Sequence, residues 1–109
     1  MTARVLQWAL SQLNGQRRVV LATVLNTSGS VPGKTGARLA MTYPGFSWEG
    51  TVGGAGLELK VLNRCKTLLK ESTSPAAEVV TYGLNKGAKG YEVQPLDSLC
   101  GGQVTLSLE

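Results

Sequence analysis

The chain has 109 residues, 42% hydrophobic and 17% charged, a size and balance that suit one globular domain with a single modest core and leave no room for two domains. Eleven Lys and Arg against seven Asp and Glu give a net charge of +4, but the basic residues are spread singly and only 6% of residues are aromatic, so no nucleic-acid partner is expected. The complete lack of His removes Ser-His and Cys-His nucleophilic catalysis and most zinc sites.

In chain order, residues 3–13 set Leu6, Ala9, Leu10 and Leu13 at helical spacing, with Thr2 as N-cap and Asn14-Gly15 as a stop. This predicts a short amphipathic helix resting on those four side chains. Residues 19–25 form a continuous β-branched and apolar run that suits a central strand buried on both faces. Residues 38–42 and 47–52 read as two strands of a hairpin turning at Tyr43-Pro44-Gly45. From Leu57 the period changes. Leu57, Val61, Leu62, Cys65, Leu68 and Leu69 make a helical stripe that should end near Ser72. Residues 78–82 give a fourth strand, and residues 103–108 alternate polar and apolar as a half-buried fifth. Between them, residues 83–102 form a long connection, a length that in compact domains often carries function. Helix, three strands, helix and two strands predict an α+β class: a single two-layer domain over residues 1–109 with a roughly five-stranded mixed sheet and two helices.

No apolar run reaches the ~20 residues of a membrane span, and Arg4, Gln7 and Gln12 interrupt the N-terminus. Neither a signal peptide nor a membrane partner is expected. Cys65 and Cys100 fall in different elements, so no disulfide framework is expected and a cytoplasmic location follows.

Three glycine loops stand out. The first, Ser28-Gly29-Ser30-Val31-Pro32-Gly33-Lys34-Thr35, ends like a P-loop, but position 28 is Ser and the next element reads as a strand where a P-loop needs a helix. An ATPase is therefore rejected. The second, Gly53-Gly54-Ala55-Gly56, follows a strand and opens the Leu57 helix, where unpaired N–H groups and the positive dipole end suit an anion. Leu59 stands where the third glycine of a dinucleotide fingerprint belongs, and the same glycines also serve simply to shape a tight turn. The third, Cys100-Gly101-Gly102, precedes the last strand. A thiolate there can bind a soft metal or carry sulfur when nearby charge lowers its pKa, whereas Cys65, on the helical stripe, reads as core.

Together, and in this order, the loops resemble the XdhC/CoxI family. The resemblance rests on Thr27-Ser28-Gly29-Ser30-Val31-Pro32, on Gly36-Ala37-Arg38-Leu39, on the segment Gly50 through Gly53-Gly54-Ala55-Gly56-Leu57-Glu58, and on Cys100-Gly101-Gly102-Gln103-Val104 running to Leu108-Glu109. Ala55 replaces the third glycine of the second motif, Gly33 stands where many members carry Arg, and Gly56 where some carry Cys. The resemblance implies an N-terminal domain of the family, without its C-terminal Rossmann-like domain. It also implies a non-enzymatic accessory protein that binds molybdenum cofactor (molybdopterin) as cargo and passes it to the apoenzyme of a xanthine dehydrogenase-like molybdenum hydroxylase. A cysteine desulfurase and a second copy of the chain are further candidate partners. The cofactor-binding residues would be Gly29, Ser30, Lys34, Arg38, Gly53, Gly54, Gly56, Cys100, Gly101 and Gly102, with Cys100 towards the metal or its sulfur and no catalytic residue. The alternatives are an interaction module that has lost its cargo and a Cys100-dependent sulfur-transfer enzyme.

Overall fold

The computed structural model describes residues 2–29, 34–71, 77–83, 94–95 and 102–109. The elements in order are α1 (Thr2–Asn14), β1 (Arg18–Gly29), β2 (Arg38–Tyr43), β3 (Trp48–Gly50), α2 (Ala55–Lys70), β4 (Glu78–Gly83), β5 (Gln94–Pro95) and β6 (Gly102–Leu108). They build one sheet in the order β3-β2-β1-β6-β4-β5. The α+β class, both helices and the five expected strands are present. The two-residue β5 adds a parallel edge beside β4 within the long connection, with Tyr82 opposite Gln94, which makes the sheet mixed.

β1 is the axis of the sheet because its apolar run is long enough to pair on both sides. Val20 lies opposite Met41 and Ala22 opposite Leu39 on β2, while Ala22 and Val24 also lie opposite Leu108 and Leu106 on β6. Alternation then sorts the side chains. Val20, Ala22, Val24, Leu39, Met41, Leu106 and Leu108 face α2, which buries Leu57, Val61, Cys65, Leu68 and Leu69 against them. Val19, Leu21 and Ala40 face the other way, where α1 buries Val5 and Ala9. The helices thus cover opposite faces, one layer more than the two expected. That arrangement is what a strand apolar on both faces requires.

The packed face of α1 departs from the expectation. Val5 and Ala9 are buried and Trp8 packs beside them, whereas Leu6, Leu10 and Leu13 are 40%, 59% and 53% exposed. These leucines line an apolar groove of about 490 Å³ with Val19, Leu21 and Glu109. The reason lies in the opposing surface. Gly50 holds φ +91°, and a Cβ there would collide with the Arg38 carbonyl oxygen and come within 2.6 Å of Val5 Cγ2. α1 settles where its smaller side chains meet Ala40 and this bare glycine, and the bulky leucines turn outward.

Candidate functional site

The C-terminal ends of β1 and β3, the N-terminal ends of β2 and β6, and the start of α2 all lie at one end of the sheet, because each of these strand pairs is antiparallel. There β1 outruns β2. The loop back to β2 closes through Val24 N–H to the Ala37 carbonyl at 2.9 Å and Gly36 N–H to the Val24 carbonyl at 2.8 Å. Past a bulge between Val24 and Asn26, the last residues of β1 pair with β6 alone, and Gly29 comes opposite Gly102. The described end of the first glycine loop therefore meets the described end of the third. The second is tied to the same end by Thr51 N–H donating to the Arg38 carbonyl at 3.1 Å.

Lys34 is exposed in the turn before β2, a strand where a P-loop would need a helix. Arg38 sits on the α1 side of the sheet and its Nε donates to Thr23 Oγ1 at 3.3 Å, so its guanidinium and α2 are on opposite faces. Gly53 and Gly54 carry φ of 129° and 78°, left-handed conformations that favour glycine, and Gly54 is the N-cap of α2. Gly56 lies in the first turn. Ser30, Cys100 and Gly101 are outside the described residues, and so is the metal role expected of Cys100. Among the described residues no cluster of three or more metal-ligating side chains occurs.

Sequence reasoning missed the residue that organises this loop. Glu58 Oε1 accepts the Val52 and Gly54 N–H groups, both at 3.2 Å, and the Thr51 hydroxyl. Thr51 Oγ1 in turn accepts the Gly53 N–H at 3.1 Å. A carboxylate from the chain itself thus occupies the donors of the glycine turn, at the positive end of the helix dipole. The amides of Ala55, Gly56 and Leu57 precede the first helical hydrogen bond, from Glu58 N–H to the Gly54 carbonyl. The signal was present as a glycine turn followed four residues later by Glu, a variant of the capping box.

Beneath α2, Cys65 is fully buried, and burial followed by the nearby Glu78 charge pushes its thiol up to about 12. It is a core residue, as the helical stripe predicted. Arg64 and Glu78 form a two-pronged ion pair with both contacts at 2.7 Å. The Arg64 hydrogen bonds hold the Glu78 carboxyl below its usual range. Burial likewise raises the Tyr82 hydroxyl.

A sequence profile of the XdhC and CoxI family matches residues 12–83, well over half of the chain. The chain belongs to the XdhC and CoxI family. The matched span takes in the first two glycine loops, Arg38 and Glu58, and ends with β4, before the Cys100 loop and β6. The crystal structure of a xanthine dehydrogenase from Bacillus halodurans is similar in fold, with a TM-score of 0.66 and 20% sequence identity. The superposition covers 94% of this family member but 29% of that chain, so the domain spans less than a third of the matched protein's length. No curated protein matches in sequence. No helix among the described residues is long and apolar enough to cross a membrane.

Proposed function

We propose that this XdhC and CoxI family domain is an accessory protein in the maturation of a xanthine dehydrogenase-like molybdenum enzyme, binding molybdenum cofactor as cargo and releasing it to the apoenzyme. The observation that carries the reading is the pairing of Gly29 with Gly102, which joins two glycine loops distant in sequence at the end of the sheet where α2 begins. The cargo is an anionic pterin with a phosphate and a sulfur-bound metal. The amides of Ala55, Gly56 and Leu57 suit the phosphate, Lys34 adds positive charge, and Cys100 is the soft donor for the metal or its sulfur. Gly54 keeps the approach open, since nothing lies within 4 Å of the position a Cβ would take.

A second reading, an interaction module without cargo, is favoured by the Glu58 network, because the amides of Val52, Gly53 and Gly54 are already satisfied from within. Purification followed by oxidation of any bound molybdopterin to its fluorescent form separates the two. Under the accessory reading the parent protein carries the pterin. Cys100→Ala and Gly54→Leu both lower retention, and the Gly54 variant also flattens the loss of binding with rising salt, because screened charge no longer contributes. A parent protein that carries none under conditions of active cofactor synthesis overturns the accessory reading in favour of the interaction module.

A further inference from the structure

The end of the sheet opposite the glycine loops gathers cations that are scattered in sequence. Arg17 Nη1 donates to the Pro44 carbonyl at 3.5 Å and Arg18 Nη2 to the Glu71 carbonyl at 2.5 Å, both exposed contacts, which bring one guanidinium group to the β2–β3 turn and the other to the end of α2. In the same turn the Phe46 ring carries Lys66 Nζ at 5.9 Å and Lys70 Nζ at 5.8 Å from its centroid. Tyr43 packs against that ring at 5.3 Å with a 53° tilt. Among the described residues the ion pairs are Arg4–Glu49 and Arg64–Glu78, and none of these four cations takes part in one.

Two features of this end cost stability, beside the packing of Tyr43 and Phe46 on the core. Lys66 and Lys70 are like charges one helical turn apart, and Phe46 adopts φ 55°, a left-handed backbone that a residue with a Cβ disfavours. We propose that this end of the domain is a docking surface for an acidic segment of a partner protein, with the Arg17, Arg18, Lys66 and Lys70 side chains receiving its carboxylates. Nucleic acid fits less well, because the face of Phe46 is occupied by ammonium groups and gives no platform for a base. A lipid surface fits less well, because the tip of the turn is Pro44-Gly45 and the single exposed aromatic beside it, Trp48, falls short of the continuous apolar face that inserts into a bilayer interface. Protein recognition fits best. Trp48, 48% exposed on the neighbouring edge strand, supplies the aromatic that concentrates binding energy beside arginine in interfaces. The surface stands apart from cargo binding, since it lies at the other end of the strands.

The test is fluorescence anisotropy with a labelled peptide of alternating Glu and Gly, titrated with the parent protein, with Lys66→Gln/Lys70→Gln, and with the charge-matched control Arg4→Gln/Lys60→Gln. All four substituted side chains reach solvent, and thermal melts check folding. The patch variant should bind about tenfold more weakly, equivalent to ~1.4 kcal/mol, while the control changes little and pterin retention is the same in all three. The proposal is overturned if the two variants lose binding equally, which would be a net-charge effect. It is also overturned if the parent binds a Gln-Gly peptide as well as the Glu-Gly one, or prefers phosphatidylserine vesicles or duplex DNA to it.

Discussion

Removing the Glu58 carboxylate is the most direct perturbation of the loop at the start of α2. In Glu58→Ala the Val52 and Gly54 N–H groups and the Thr51 hydroxyl lose their acceptor. Each such bond contributes about 1 kcal/mol net, less where water can take over, and a negative charge at a helix start adds roughly 0.5 kcal/mol. The expected cost is about 2–3 kcal/mol, a large share of the ~5–15 kcal/mol that holds a small domain together. At roughly 4–8 °C per kcal/mol for this size, Tm should fall by about 10–20 °C. Glu58→Gln keeps Oε1 in place and loses the charge alone, so its cost should stay near 0.5–1 kcal/mol, on the order of a helix-dipole contribution. Urea unfolding followed by circular dichroism measures both. Inorganic phosphate, compared with chloride at equal ionic strength, should stabilise Glu58→Ala more than the parent and so restore part of the loss, because the variant adds the vacated donors of the turn to the amides of Ala55, Gly56 and Leu57 that both proteins offer. An alanine variant as stable as the parent, or a glutamine variant as damaged as alanine, would refute the role assigned to the carboxylate.

On α1, Val5→Ala should cost about 2 kcal/mol for two buried methyl groups, whereas Leu10→Gln should change stability by less than about 0.5 kcal/mol; the reverse order in urea melts would mean that the helix rests on its leucines. The Arg64–Glu78 pair predicts a pH signature. Because the folded carboxyl is depressed, its contribution is complete above the ordinary carboxylate range near pH 4 and disappears as pH falls through the lower folded value. Glu78→Gln should therefore be less stable than the parent at neutral pH, by about 0.5–1 kcal/mol for a half-exposed pair, and the two curves should converge in acid. A gap that persists in acid would point to lost packing instead.

Much of the fold was legible because its signals are local. The β1 run, the β2–β3 hairpin and the α2 stripe each announce themselves within a few residues, and burial of Leu57, Val61 and Cys65 follows from their spacing. The face of α1 was not legible for a physical reason. Val5, Leu6, Trp8, Ala9, Leu10 and Leu13 surround most of the helix with apolar groups, so periodicity alone cannot select a face. The choice is made by the space that Gly50 leaves for Val5, a contact between segments far apart in the chain. The glycine positions of the candidate site were readable as loops, and their common end of the sheet follows only from the antiparallel pairing. Glu58 carries a signal only in combination with the glycine turn four residues before it, and that spacing does not by itself tell that the carboxylate folds back onto the Val52 and Gly54 N–H groups. The gathering of Arg17, Arg18, Lys66 and Lys70 was likewise hidden, because only the hairpin turn brings them together.

The place of β6 has a consequence for how the domain comes into being. The strand that follows all others in sequence sits between β1 and β4, so β4 and β5 reach the rest of the sheet only through it. During synthesis the α1–β1–β2–β3–α2 portion can assemble early from neighbouring segments, while β1 keeps one edge bare until residues 102–108 have left the ribosome. Closing that gap joins residues far apart in sequence, Ala22 with Leu108 and Gly29 with Gly102, a high-contact-order step that is intrinsically slow. An unfinished chain therefore exposes an adhesive strand edge, and a nascent-chain chaperone would have its greatest effect on this protein in that interval.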